Sequence, residues 1–115
     1  MPVTKRKTKK TKKAKTATLT GRTVTIRYRC NGSCKALPRR AHMRAGDVVN
    51  MLAINTNVRI TFIGASPFQS GASSIIIRAG GIRTEIVGAA TGSFPYNLSC
   101  PTCPTGNIPP EMIVP

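Results

Sequence analysis

A chain of 115 residues with 18 Lys and Arg against three acids (Asp47, Glu85 and Glu111), formal charge +15, has room for one small domain and selects acidic partners. So few carboxylates and a single histidine speak against an enzyme, and no apolar run approaches the ~20 residues of a membrane-spanning helix. Val and Ile are plentiful, Gly and Pro frequent, and helix-favouring Glu, Leu and Gln scarce, which predicts an all-β domain.

Residues 1–20 read as a basic tail. Lys5, Arg6, Lys7, Lys9, Lys10, Lys12, Lys13 and Lys15 follow one another with only threonine and alanine between them. Self-repulsion without apolar groups predicts disorder in the free state, and no alternating apolar face suits a membrane interface. Such a run suits the phosphate backbone of RNA or DNA, whose condensed counterions it displaces without reading sequence. Its composition resembles the Lys-rich arms of histone-like proteins and the extensions of ribosomal proteins, which implies a nucleic-acid partner. A solubilising tail or a localisation signal is the other reading. No apolar stretch follows the basic start as an export signal requires, so the expected setting is cytoplasmic, in a nucleoid or ribonucleoprotein particle.

Residues 21–115 change to a period of two. "TVTIRYRC" places Val24, Ile26, Tyr28 and Cys30 on one face and Thr23, Thr25, Arg27 and Arg29 on the other. "NVRITF" repeats the pattern with Val58, Ile60 and Phe62, and "SFPYNLSC" with Phe94, Tyr96, Leu98 and Cys100. "GDVVNMLAIN", "SSIIIR", "IRTEIV" and "EMIVP" add short strands, and "AGG" at 79–81 turns one strand into the next. Seven or eight short strands separated by turn residues predict a Greek-key β-sandwich or a small barrel.

The order of these segments resembles a family. "HMRAGDVVNMLAIN", "NVRITFIGASPF" and "YNLSCPTCPTGNIPPEMIV" are similar to successive parts of cupredoxin-like domains, over roughly Thr23 to Val114. The resemblance implies a cupredoxin-like sandwich in which Cys100 stands where a copper protein has its thiolate and Cys103 where a loop histidine would be. The upstream histidine expected near Asn57 is absent. Blue copper needs two imidazoles and a thiolate, whereas this chain has only His42, so copper electron transfer is not expected.

The cysteines form a C-x3-C pair, Cys30 and Cys34, and a C-x2-C pair, Cys100 and Cys103. In such a sandwich the loops carrying them lie at one end, so all four sulfurs can meet. Two short Cys loops suit a structural zinc with four thiolates, zinc being the expected cofactor in a reducing compartment. Disulfides within or between the pairs, and free thiols, are the alternatives. Thioredoxin-like redox chemistry is disfavoured, because "PTGNIPP" after "CPTC" cannot be the helix that lowers a thiol pKa.

His42 lies in "PRRAHMR" beside Arg39, Arg40 and Arg44, and reads as surface rather than catalytic. The three arginines, with Arg27 and Arg29, extend the basic surface of the tail. The expected function is structural nucleic-acid binding, with no membrane and no small-molecule substrate. The alternatives are a self-assembling subunit of a shell or fibre, pairing with other proteins or copies, or a cupredoxin-like metal-binding protein.

Overall fold

The computed structural model describes residues 18–106 and 108–115, so the lysine run from Lys5 to Lys15 lies outside the described residues. Among the described residues the chain forms nine short strands in two sheets. In chain order they are β1 (Thr23–Cys30), β2 (Cys34–Leu37), β3 (Arg40–His42), β4 (Val48–Ala53) and β5 (Val58–Phe62), then β6 (Ser74–Ile77), β7 (Ile82–Ile86), β8 (Gly92–Ser99) and β9 (Glu111–Val114). One sheet runs β2-β1-β4-β7 and the other β3-β9-β8-β5-β6. Two neighbours, β1 with β4 and β3 with β9, are parallel.

The core is the inner face of each sheet, and the sequence phases predict it. Ile26 and Tyr28 of β1, Ile60 of β5 and Tyr96 of β8 are buried, while Arg27 and Arg59 face out. Phe62 packs edge-on against both Phe68 and Tyr96. The 63–73 loop therefore closes the core with Phe68, which bridges to Val87 beyond β7.

Against an expected seven or eight strands there are nine, and two of them, β2 and β3, were not among the segments expected. β2 and β3 have only four and three residues, too few to show a period, and are strands because β1 and β9 pair with them. The "AGG" turn does join β6 to β7, with the Gly81 amide donating to the Arg78 carbonyl at 2.7 Å. It carries the chain from one sheet to the other, since β6 pairs with β5 and β7 with β4.

The segment leading into β1 crosses the turn before β4. The Thr20 amide donates to the Gly46 carbonyl at 3.2 Å, and the Thr20 hydroxyl donates to Asp47 Oδ1 at 2.6 Å. Gly46 has φ +89°, and a Cβ there would run into the Thr18 carbonyl oxygen, so both conformation and contact require glycine. The root of the basic tail is thus held at one end of β1, and Cys30 closes the other end.

Candidate functional site

The β1–β2 hairpin makes Cys30 and Cys34 register partners, while Cys100 and Cys103 bridge each other beyond β8. The two loops meet and cross-link as Cys30–Cys103 and Cys34–Cys100, with Cα–Cα separations of 5.9 and 5.7 Å. Asn55 braces the site by accepting from the Cys30 amide at 2.8 Å and donating to the Cys30 carbonyl at 3.0 Å. The four sulfurs gather at one end of the sandwich, and they are bonded to one another. In this state Cys30, Cys34, Cys100 and Cys103, expected as a zinc shell, are joined between the two loops, the disulfide alternative the sequence left open; a disulfide sulfur carries no ionised thiol, so zinc binding by these four would require reduction. Among the described residues no other group of His, Cys, Asp and Glu is arranged to hold a metal ion.

The acids are spent inside the domain. Asp47, fully buried, accepts from Thr20 and from the Arg44 amide and lies 3.5 Å from Arg22. Burial alone would push its carboxyl up, but those hydrogen bonds and the Arg22 charge outweigh it and hold the group below its ordinary value. Glu85 binds Arg83 at 2.6 Å and the Ser70 hydroxyl at 2.7 Å. Glu111 takes the Ser93 hydroxyl and Arg40, at 3.0 Å, and the Ser93 bond with the Arg40 charge keeps its carboxyl low.

Every carboxylate side chain of the sequence is therefore matched to an arginine, while Arg27, Arg29, Lys35, Arg39, Arg44, Arg59 and Arg78 have no carboxylate in ion-pair contact among the described residues. Of the three arginines expected at a nucleic-acid surface, Arg39, Arg40 and Arg44 are all exposed, but Arg40 is neutralised by Glu111. His42 is exposed on β3.

The sequence assigned Arg27 and Arg29 to the basic surface, and the structure adds Lys35 to them in a tight cationic group on the outer face of the β2-β1-β4-β7 sheet. Arg29 and Lys35 are cross-strand partners, and Arg27 follows Arg29 on the same face. Like charges directly opposite repel, and Arg29 Nε is covered without an acceptor. The signal was present in "RCNGSCK": a hairpin closed between the two cysteines sets position 29 opposite 35.

Beside the disulfides lies a groove of about 500 Å³ lined by β2, by Asn97 and Leu98 of β8, and by residues 105–106 and 108–110. Its lining includes Ala36, Leu37, Leu98, Ile108 and Pro110, with Lys35 and Arg39 at its margin.

No protein-family model matches the chain, and no curated protein matches its sequence. Solved structures do match. A reduced-state amicyanin variant is similar at a TM-score of 0.52 and 14% identity, covering 84% of this chain and 83% of that one. Cu(I) forms of two further amicyanin variants reach 0.50 at 12% and 13% identity, each covering 87% of this chain and 99% of the other. The fold is cupredoxin-like. This cupredoxin-like sandwich does not carry the ligands of a blue-copper centre. Cys100 is bonded to Cys34, His42 is the one imidazole in the chain, and Asn57 uses its side-chain oxygen to accept from the Ala79 amide at 2.9 Å.

Proposed function

We propose that this protein is a non-enzymatic polyanion-binding module, a disulfide-clasped cupredoxin-like sandwich that holds the phosphate backbone of nucleic acid. The observation that carries the reading is the pairing of all three acids within the fold, which leaves the remaining cations to external anions. Arg27, Arg29 and Lys35 form one patch, and the eight cations of Lys5 to Lys15 supply most of the affinity. No exposed aromatic residue accompanies the patch, so contact is to phosphate, with neither base stacking nor sequence readout. Two disulfides fit an oxidising compartment better than the reducing one first expected. The test compares nucleic-acid binding by the full chain and by a chain starting at Leu19 across a salt series. Loss of most affinity and a flatter salt slope on truncation support the reading; unchanged binding overturns the role of the tail.

A second reading is a self-assembling subunit. β6 and β7 end their sheets on the side opposite β2 and β3, and carry Ile76 and Ile82 at 61% and 64% exposure. Edge strands with exposed isoleucine, β7 being covered at its end by the bond from the Gln69 amide to the Ile86 carbonyl, suit lateral association of copies. Large particles sedimenting in high salt without nucleic acid would favour this reading over the first.

A further inference from the structure

The outer face of the β2-β1-β4-β7 sheet has an aliphatic half beside a cationic one. On β7, Ile82 stands opposite Leu52 of β4, and Ile86 opposite Val48. Ile54 falls on the same face just past the end of β4, where its amide donates to the Tyr28 carbonyl at 2.8 Å. Ile82 is 64% exposed and Ile54 42%, whereas the alternate residues Val49, Met51 and Ala53 are buried in the core. Within this stripe the Thr84 hydroxyl donates to Asn50 Oδ1 at 2.8 Å, so that polar pair is already satisfied. The neighbouring strand is β1, whose Arg27 is the register partner of Leu52, with Arg29 two positions further on the same face.

We propose that an amphipathic helix of a partner protein, acidic along one flank, docks along β4 and β7 on this face. A helix about 10 Å wide covers two strands about 4.8 Å apart, and the stretch from Val48 to Ile54 spans about 20 Å, the length of about 13 helical residues. Its apolar stripe covers Leu52, Ile54 and Ile82, and carboxylates on the flank reach Arg27 and Arg29. Charge and composition select this occupant. A second copy packed face to face would set Arg27 and Arg29 beside their own counterparts, and the protein's Lys-rich run would meet the same cations. Nucleic acid would use the arginines and leave the isoleucines without apolar contact. Tyr28, Phe62, Phe68, Phe94 and Tyr96 are all buried and the chain has no tryptophan, so the face lacks the aromatic anchors of a lipid interface. The inference rests on the same availability of Arg27 and Arg29 to outside anions as the polyanion reading, which makes the partner helix and nucleic acid competitors for this face.

The experiment titrates the full oxidised chain with a lactam-stapled synthetic helix of about 14 residues, leucine along one stripe and glutamate on its flank, followed by amide NMR shifts and calorimetry. The same helix with lysine for glutamate, and a scrambled sequence of the same composition, are the controls. The expected result is binding about tenfold tighter for the glutamate helix, with shifts centred on residues 48–54 and 82–86. Ile82→Ser should weaken the helix about tenfold, the loss of one buried aliphatic contact, and leave oligonucleotide affinity unchanged. Arg29→Gln should weaken both ligands. Helix binding without oligonucleotide binding would remove the polyanion reading and leave this inference standing, and oligonucleotide binding without helix binding would do the reverse. Equal binding of the three peptides, shifts centred elsewhere, or no effect of Ile82→Ser would overturn the proposal. So would Ile82-dependent binding to phosphatidylserine vesicles, or a dimer that dissociates when the helix is added.

Discussion

The Tyr28 and Tyr96 hydroxyls meet at 3.3 Å in the middle of the sandwich, tying β1 of one sheet to β8 of the other. Their rings lie edge to face with centroids 6.4 Å apart. Burial is the main cause that raises both phenols, Tyr28 well above the ordinary value of 10 and Tyr96 to about 12. A phenol raised in the folded state stabilises fully below the unfolded value of 10, and that contribution is lost as pH rises through the folded value. The protein should therefore form little tyrosinate at pH 10 to 11 while folded, and ionise together with unfolding above that range. The chain has two tyrosines and no tryptophan, so tyrosinate absorbance reports this pair alone. An ordinary titration curve with unchanged circular dichroism would contradict the geometry.

The same pair predicts a non-additive cycle. Tyr28→Phe or Tyr96→Phe alone strands one buried hydroxyl and should cost about 1 to 2 kcal/mol. The double phenylalanine variant should cost no more than one single substitution, because it leaves nothing unpaired. Urea denaturation of the four proteins measures the cycle.

The two disulfides are nested, with sequence separations of 73 and 66. Either alone closes nearly the whole domain, and the second then closes only a small ring through residues 30–34 and 100–103. By loop entropy, replacing Cys34 and Cys100 with serine should cost about 3 kcal/mol, whereas removing both bridges should cost about 7 kcal/mol. Chemical denaturation of the single and double pair variants checks the order. Without reductant, thiol titration should find no reactive cysteine and metal analysis no zinc, and zinc uptake should require prior reduction.

Asp47 links the Thr18–Arg22 segment to the turn before β4. Its carboxyl is held low in the folded state, so its stabilisation is present above the unfolded value near pH 4 and is lost as pH falls through the folded one. Asp47→Ala should cost ~3 kcal/mol at neutral pH, because the Thr20 hydroxyl and the Arg44 amide lose a charged acceptor. The loss should shrink as the medium is made acidic. Stability measured from pH 7 down to pH 2 gives both values.

Arg29 and Lys35 should behave unlike ordinary surface residues. Arg29→Gln or Lys35→Gln relieves cross-strand repulsion, so stability should stay the same or rise by a few tenths of a kcal/mol. Nucleic-acid affinity should fall, and the salt slope should decrease by about one unit for each charge removed. Unchanged slopes would place the phosphate contacts elsewhere.

Alternation in the sequence determined the strand phases. Ile26 with Tyr28, Ile60 with Phe62 and Tyr96 with Leu98 are buried as their period of two requires, and the charge pattern marked the first residues as a separate cationic segment. This information is local, because the face on which a side chain falls depends on neighbours two positions away. Only the tertiary structure decided which cysteine meets which, that β2 and β3 are strands at all, that "AGG" changes sheets, and that Arg40 is paired with Glu111 whereas Arg29 and Lys35 are left facing each other. Those outcomes join positions as far apart as Cys30 and Cys103, or Arg40 and Glu111. No window along the chain contains both partners, and the closure of the two sheets on a common core is what brings them together.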